Sequence, residues 1–258
     1  MLYIPQKIKD IIGNRKYIKD SVGMSDSQVI LFDDMVLKIQ QSNNETVNEA
    51  EMLKWLNDIL PVPRLIASEI ENNTSFILMS KIKGKMLCDN AYTDNPHELL
   101  SLLADGLNQL WSIDIKNCPC DNTLSFKLAA ARLSVENGLV DIENTEPETF
   151  GKDGFSSPLE LLEWLEKNRP EEELALTHGD YSLQNIFAED NGISGFIDLG
   201  KAGVADKWQD IAICYRSLKH VFSKHKNSQL NPDMLFEKLG IEKNEEKLKY
   251  YILLDELF

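Results

Sequence analysis

The fold is decided by the stretch His178-Gly-Asp180-Tyr-Ser-Leu-Gln-Asn185, together with the nearby Gly195-Phe-Ile-Asp198-Leu-Gly200. Short apolar runs typical of β-strands precede or follow each part, so Asp180, Asn185 and Asp198 lie in or next to loops at strand ends, where side chains can converge. Two carboxylates and an amide are oxygen ligands, which suit a hard cation such as Mg²⁺ bound to a nucleotide. A carboxylate that does not bind the metal can accept a proton from an attacking hydroxyl group.

The spacing of these residues resembles that of protein kinases. Their catalytic loop reads H-R-D-L-x-x-x-N, with the asparagine five residues after the aspartate. Asn185 follows Asp180 at the same distance, and Asp198-Leu-Gly stands where kinases carry D-F-G. We therefore assign Asp180 as the candidate catalytic residue and Asn185 and Asp198 as candidate metal ligands.

The N-terminal part supplies candidate nucleotide ligands. Lys38 lies in the apolar strand pattern Val36-Leu-Lys-Ile39, and Glu49 follows eleven residues later on a helical segment. A Lys–Glu pair of this kind orients the lysine toward nucleotide phosphates. Glu51 points about 200° away from Glu49 around a helix and cannot make the same contact. The sequence has no G-x-x-x-x-G-K-[ST] motif, but the turn Gly23-Met24-Ser25 can present backbone N–H groups to a phosphate.

The chain changes character near residue 84. Residues 15–79 carry short β-type runs and one helical segment in the order β-β-β-α-β-β, whereas helical patterns dominate afterwards. We predict an α+β, protein-kinase-like fold with two lobes: a small antiparallel sheet with one main helix, and a mostly helical second lobe. The predicted boundaries are 1–80 for the nucleotide lobe, 81–85 for the hinge and 86–258 for the catalytic lobe. The predicted later helices cover 96–112, 123–137, 158–168, 206–223, 232–239 and 244–257.

The charge of the chain restricts its partners. The 258 residues carry a formal net charge of −15, and all of this excess lies in residues 86–258, because residues 1–85 hold 11 basic and 11 acidic residues. Such acidity disfavours nucleic acid and anionic membrane surfaces as partners and is compatible with a cationic partner. We also expect a cytoplasmic protein, because the N-terminus lacks the apolar core of a signal peptide and no apolar run reaches membrane-spanning length.

Further stretches identify a family that the chain resembles, the aminoglycoside 3′-phosphotransferases, with the type III branch most similar. The resemblance covers nearly the whole chain. It rests on Gly23-Met-Ser25, Val36-Leu-Lys38, Leu60-Pro-Val-Pro-Arg64, Leu78-Met-Ser80, Ser112-Ile-Asp-Ile115, Pro170-Glu-Glu-Glu-Leu174, His178-Gly-Asp180, Gly195-Phe-Ile-Asp-Leu-Gly200, Ala205-Asp-Lys-Trp208 and Tyr250-Tyr-Ile-Leu-Leu-Asp-Glu-Leu-Phe258.

This resemblance implies a kinase that uses ATP and Mg²⁺ to phosphorylate the 3′-hydroxyl of aminoglycoside antibiotics and so confers resistance. Lys38 would contact the α- and β-phosphates, Glu49 would hold Lys38, and Asp180 would orient or deprotonate the drug hydroxyl. The backbone of Met79, Ser80 and Lys81 would bind adenine. We expect a monomer or weak dimer. The implied residues at the cationic drug are Glu143, Glu146, Glu148, Lys201, Arg216, Asp255, Glu256 and the Phe258 carboxylate.

Other activities fit parts of the pattern. The nearest alternative is a small-metabolite kinase of the same fold, acting on choline, a hydroxy amino acid or a sugar, for which the acidic tail Asp255-Glu256 is not expected. A protein kinase fits less well, because no arginine precedes Asp180 and no A-P-E motif follows Asp198. A non-catalytic pseudokinase is expected to lack Lys38, Asp180 or Asp198, and this chain retains all three.

Overall fold

A five-stranded antiparallel sheet occupies the first third of the chain in the computed structural model, which describes residues 3–20, 27–152, 154–190, 192–224 and 231–258. Helix α1 (Gln6–Ile12) packs Ile8 and Ile12 against it. The spatial order of the strands is β1-β2-β3-β5-β4. Their bounds are β1 (Ile18–Asp20), β2 (Gln28–Leu31), β3 (Met35–Gln41), β4 (Leu65–Glu71) and β5 (Thr74–Ser80).

Helix α2 (Asn44–Leu56) lies between β3 and β4 in the chain and begins at a capping box. The Asn43 side chain accepts a hydrogen bond from the Thr46 backbone N–H, and the Thr46 hydroxyl accepts one from the Asn43 N–H. Such reciprocal bonds satisfy N–H groups that have no partner within the helix. The apolar side of α2, including Met52 and Leu53, is buried in the main hydrophobic core. The cap and this burial together fix the position of Glu49 on the helix.

The rest of the described chain is mainly helical. Its main core is built largely from leucines of several helices, and two short sheets lie at its edge. The helices are α3 (Asn90–Thr93), α4 (Pro96–Trp111), α5 (Leu124–Glu136), α6 (Pro158–Lys167), α7 (Lys207–Lys224), α8 (Met234–Leu239) and α9 (Glu245–Asp255). The strands are β6 (Lys85–Met86), β7 (Leu174–Thr177), β8 (Ile186–Glu189), β9 (Gly192–Phe196) and β10 (Gly203–Asp206).

A buried polar cluster attaches the C-terminal helix α9 to the end of β10. Lys247 on α9 lies 3.0 Å from Asp206 Oδ2, and the Tyr251 hydroxyl donates to the same oxygen at 2.8 Å. Asp206 is fully buried, and a buried carboxylate requires partners of this kind. The cluster therefore fixes the start of α9, whose far end carries the acidic residues that the sequence assigns to the drug.

The predicted α+β class is confirmed, and most predicted segments lie within two residues of the observed ones. Three short elements were not predicted: β6, α3 and β10. The division at residues 81–85 remains a prediction, although the five-stranded sheet ends at Ser80 and β6 already pairs with β8. Within the described ranges, no helix combines the length and apolarity that crossing a bilayer requires.

Candidate active site

The two candidate metal ligands, Asn185 and Asp198, emerge from the ends of two short paired strands. Strands β8 and β9 pair antiparallel with Ile186 opposite Phe196, so Asn185 just before β8 lies beside Ile197 just after β9. The Ile197 N–H donates to the Asn185 carbonyl at 3.0 Å, which continues the pairing by one residue. Asn185 and Asp198, thirteen positions apart in sequence, therefore emerge at the same end of the hairpin, as predicted.

Asp180 and Asn185 are in direct contact. The Asn185 amide nitrogen donates to Asp180 Oδ2 at 2.9 Å and to the Asp180 carbonyl at 3.0 Å. This leaves the amide oxygen of Asn185, rather than its nitrogen, to meet a cation. Asn185 is buried, whereas Asp180 is partly exposed and can reach a bound substrate. In this pair the Asn185 amide oxygen is suited to a metal ion, and the Asp180 carboxylate is suited to a substrate hydroxyl group.

Lys38 joins the sheet to both candidate acidic partners. Its ammonium nitrogen lies 2.9 Å from Glu49 Oε2 and 2.6 Å from Asp198 Oδ1. Burial alone would lower the pKa of Lys38, but the two carboxylates outweigh it and the pKa is raised. For Glu49 burial dominates and raises the pKa, whereas Lys38 holds the pKa of Asp198 below its usual value. Glu51 pairs instead with Lys54 on the exposed side of α2, as its position on the helix predicts.

Asp210 on α7 holds the catalytic loop, and the sequence reading did not identify it. Its two carboxylate oxygens accept the backbone N–H groups of His178 at 2.7 Å and of Gly179 at 2.8 Å. Asp210 is fully buried, and burial raises its pKa. Gly179 has φ = 83°, and a Cβ there would lie 1.8 Å from the Lys201 carbonyl oxygen, so only glycine fits. An acidic residue on the buried, otherwise apolar side of a predicted helix was the available signal.

The segment predicted to bind adenine has only some of its backbone groups available. Within the protein, the Ser80 N–H donates to the Arg64 carbonyl at 2.9 Å and the Lys81 N–H donates to the Asp34 carbonyl at 3.0 Å. The next N–H, that of Ile82, makes no backbone hydrogen bond within the described residues. The role of Met79, Ser80 and Lys81 stays a prediction, and Ile82 is the donor that this segment leaves open. Gly23, Met24 and Ser25 lie outside the described residues.

A pocket of about 440 Å³ lies where the C-terminus meets the loop that follows α5. Of the acidic residues predicted here, Glu146, Asp255 and Glu256 line it, as does Phe258. Glu143 and Glu148 belong to the same loop and are exposed, but they are not among its lining residues. The other residues that line it are Asp141, Asn144, Thr145, Pro147 and Arg216.

Arg216 neutralises part of this acidic pocket. Its guanidinium group forms ion pairs with Asp255 and, at 3.2 Å, with Glu256 Oε1. The Glu146 N–H donates to Glu256 Oε2 at 2.8 Å, which attaches the loop to the C-terminus. Although burial opposes it, the pKa of Asp255 is lowered by the nearby cations, whereas burial raises the pKa of Glu256. Asp255 is therefore the carboxylate of the two that stays ionised most readily.

Two lysines, Lys127 and Lys201, interact electrostatically with Asp255 of the acidic pocket. The Lys127 ammonium lies 5.7 Å from the centre of the Phe258 ring, and burial lowers the pKa of Lys127 to about 8. For Lys201 burial works in the same direction, but Asp255, Glu45, Asp180 and Asp198 outweigh it and raise the pKa. Lys201 therefore interacts electrostatically with carboxylates of both groups, and its role at the drug remains a prediction.

Comparison with known proteins agrees with this geometry. A model of the phosphotransferase enzyme family matches residues 17–230. An aminoglycoside 3′-phosphotransferase of Enterococcus faecalis is 38% identical over 268 residues, which cover 99% of this chain and 98% of the relative. One from Staphylococcus aureus is 38% identical over 267 residues, with the same coverage of both chains. This chain belongs to the aminoglycoside 3′-phosphotransferases.

Solved structures confirm the protein-kinase-like, two-lobed fold that this family shares. An aminoglycoside 3′-phosphotransferase of type VIII superposes with a TM-score of 0.78 at 24% identity, covering 98% of this chain and 97% of the other. A choline/ethanolamine kinase family protein of Mesorhizobium loti has a TM-score of 0.65 at 14% identity, over 96% of this chain and 79% of the other. The fold alone therefore does not distinguish an aminoglycoside phosphotransferase from a choline/ethanolamine kinase family protein.

Proposed function

We propose that this chain is a MgATP-dependent kinase that transfers the γ-phosphoryl group of ATP to the 3′-hydroxyl of aminoglycoside antibiotics and thereby confers resistance. The observation that carries the proposal is the junction of two sites. Lys38, Glu49, Asp198, Asn185 and Asp180 form a phosphate-transfer centre. Lys201 interacts electrostatically both with Asp180 and Asp198 of this centre and with Asp255 of the acidic pocket at the C-terminus. Full-length relatives named for this activity support it.

In this proposal Asn185 and Asp198 hold Mg²⁺. Both offer oxygen atoms, and a Mg²⁺ ion bound by one or two protein oxygens completes its shell with water and nucleotide phosphate. The ion would neutralise charge on the β- and γ-phosphates.

The remaining steps belong to the side chains. Lys38, held by Glu49, binds the α- and β-phosphates, and Lys201 contributes positive charge near the transferred group. Asp180 accepts a hydrogen bond from the drug hydroxyl, aligns it for in-line attack on the γ-phosphorus and takes up its proton. Phosphoryl transfer needs mainly positioning and charge neutralisation from a protein, and these four residues supply both.

The acidic pocket gives the proposal its acceptor specificity. An aminoglycoside carries several ammonium groups, and each needs oxygen acceptors when it leaves water. Asp255, Glu256, Glu146 and the Phe258 carboxylate, with Glu143 and Glu148 in the neighbouring loop, are proposed to bind these groups. Arg216 forms ion pairs with Asp255 and Glu256 and holds both side chains in place. We also propose a cytoplasmic location, where ATP is available and the four cysteines, all unpaired in the structure, stay reduced.

An ATP-coupled assay over several acceptors tests this function against its nearest alternative. The panel contains several aminoglycosides, choline, a hydroxy amino acid and a simple sugar, each at the same concentration with and without Mg²⁺. Turnover with aminoglycosides alone is expected, because only they offer several cations to the acidic pocket. Turnover of another alcohol without turnover of any aminoglycoside would instead establish a metabolite kinase of the same fold.

A further inference from the structure

The backbone turn that follows Asp198 is held by two asparagine side chains from opposite parts of the fold. The Asn48 amide nitrogen on α2 lies 2.8 Å from both the Gly200 and the Ala202 carbonyl oxygens. The Asn122 amide nitrogen, in the segment before α5, lies 3.0 Å from the Lys201 carbonyl and 2.9 Å from the Ala202 carbonyl. Three consecutive carbonyl groups are thus satisfied by two amides, and the Ala202 carbonyl accepts from both.

Only the NH₂ end of an asparagine side chain can satisfy two carbonyl oxygens, so the orientation of each amide is determined by its partners. The turn needs such partners because its own backbone supplies few bonds. Within it the Ala202 N–H donates to the Leu199 carbonyl at 3.1 Å, and Asp198 has the left-handed conformation with φ = 60°. A non-glycine residue holds that conformation only where its surroundings fix it. The two amides are part of those surroundings.

The position of Asn48 connects this turn to the nucleotide-binding pair. Asn48 immediately precedes Glu49 on α2, so one helix contacts the turn directly and also contacts Asp198 through Glu49 and Lys38. The helix and the turn also approach closely: a Cβ at Gly200 would lie 3.1 Å from the Glu45 carbonyl oxygen. Helix α2 therefore contacts the Asp198 segment at two separate places.

The two connections respond differently when Asp198 takes a new partner. The contact through Lys38 is an ion pair with the Asp198 carboxylate itself, so a cation bound by that carboxylate competes with it. The contact through Asn48 uses backbone carbonyls and leaves the carboxylate unoccupied. Of these two connections, the one through Asn48 can hold the Asp198 segment in register with α2 while the carboxylate binds a metal.

We propose that Asn48 is a positioning residue for the metal site: together with Asn122 it fixes the turn Gly200–Ala202 and so aims the Asp198 carboxylate relative to α2. The proposal rests on the proposed role of Asp198 as a Mg²⁺ ligand, but it does not depend on the identity of the phosphate acceptor. In this proposal Asn48 connects helix α2, which carries Glu49, to the loop that carries Asp198.

The test compares Asn48→Ala with Asn44→Ala. Asn44 is an exposed residue in the first turn of the same helix, so its replacement is a matched control. ADP binding is measured by calorimetry with excess Mg²⁺ and again with EDTA. In Asn48→Ala we expect the gain in ADP affinity on adding Mg²⁺ to fall about tenfold, which is the size expected for two lost hydrogen bonds. The ADP affinity without metal should change less than about twofold. Asn44→Ala should match the unmodified protein under both conditions.

A second readout needs neither nucleotide nor metal. Backbone amide exchange in residues 199–203 of the free protein should be faster in Asn48→Ala and unchanged in Asn44→Ala. Asn48→Ser, which keeps one donor, should give intermediate values in both experiments and provides the comparison if the alanine variant folds poorly. The proposal would be overturned if Asn48→Ala lost ADP affinity equally with and without Mg²⁺. It would also be overturned if Asn48→Ala changed neither the Mg²⁺-dependent ADP affinity nor the amide exchange of residues 199–203. Neither readout contains an aminoglycoside, so failure of the proposed drug kinase activity would be recognised separately.

Discussion

The Lys38 ammonium lies 2.6 Å from Asp198 Oδ1, although 160 positions separate the two residues in the chain. The same ammonium lies 2.9 Å from Glu49 Oε2, so one cation joins β3, α2 and the loop after β9. Glu49 is almost completely buried, with 1% of its side chain exposed. The lysine proposed to bind the phosphates is therefore also the charge partner of a buried carboxylate.

Replacing Lys38 by alanine should destabilise the protein by about 3 kcal/mol, because it leaves the Glu49 carboxylate buried without a cation. Urea unfolding measures this change. Lys54→Ala is the matched control: it breaks an exposed pair with Glu51 and should cost less than about 1 kcal/mol. Adding Glu49→Gln to Lys38→Ala should recover part of the loss. Equal losses of unfolding free energy in Lys38→Ala and Lys54→Ala would show that the Lys38–Glu49 pair stabilises the protein no more than an exposed ion pair does.

Replacing Asp180 by asparagine should lower kcat at least ~10²-fold, the low end for loss of a general base. The affinity for MgATP should change little, because the proposed mechanism assigns Asp180 to the acceptor hydroxyl rather than to the nucleotide. Steady-state turnover and calorimetry measure the two quantities. Asp94→Asn, an exposed replacement with the same change of charge, should leave both unchanged. Near-normal turnover in Asp180→Asn would remove this residue from the mechanism.

Replacing Asp255 by asparagine should raise the KM for an aminoglycoside about tenfold, with a smaller effect on kcat. The pocket loses its most readily ionised carboxylate, and Arg216 keeps a charge that its partner no longer balances. Glu245→Gln, at the exposed start of the same helix, is the control for the charge change. The KM of the unmodified protein should also rise with salt, since exposed charges are screened within ~10 Å at 0.1 M. A KM unaffected by both changes would contradict the acidic-pocket account.

The pH dependence of the stability should show the lowered pKa of Lys127. Burial lowers its pKa to about 8, whereas an unfolded lysine titrates near 10.4, about its ordinary value. Between those values the unfolded chain binds more protons, so the contribution of this residue to stability rises with pH. From pH 7 to pH 9 the thermal midpoint of the unmodified protein should therefore rise relative to Lys127→Met. Lys167→Met, at an exposed site on α6, should show no such difference. A parallel pH profile for Lys127→Met would show that this amine titrates normally.

The sequence predicted the elements and residues that depend on local pattern. The strand patterns predicted that Asn185 and Asp198 lie at strand ends, and the β8–β9 hairpin brings these two ends together. Helix geometry predicted that Glu49 and Glu51 cannot both reach Lys38, and the structure pairs Lys38 with Glu49. The strand β10 was missed, because its run Gly203–Asp206 is short and becomes a strand only by pairing with β7, twenty-six residues away.

Other parts of the site could not be read from the sequence, because they depend on contacts between distant segments. Asp210 is the one acidic residue of α7, but its role is visible only from the hydrogen bonds that its carboxylate accepts from the His178 and Gly179 backbone. Asn48 has no motif of its own, and its role depends on the close approach of α2 to Gly200. The ion pairs of Arg216 change the acidic tail from a set of free carboxylates into a partly neutralised one.

The position of the transferred phosphate is the most direct test of the proposed function. The protein is incubated with MgATP and kanamycin, and the product is examined by two-dimensional phosphorus–proton NMR, with the 3′-deoxy analogue of the drug as a parallel substrate. The account predicts a phosphate coupled to the proton on the 3′-carbon and no product from the 3′-deoxy analogue. A phosphate on another hydroxyl, equal turnover of the 3′-deoxy analogue, or no product from kanamycin or any other aminoglycoside would contradict it.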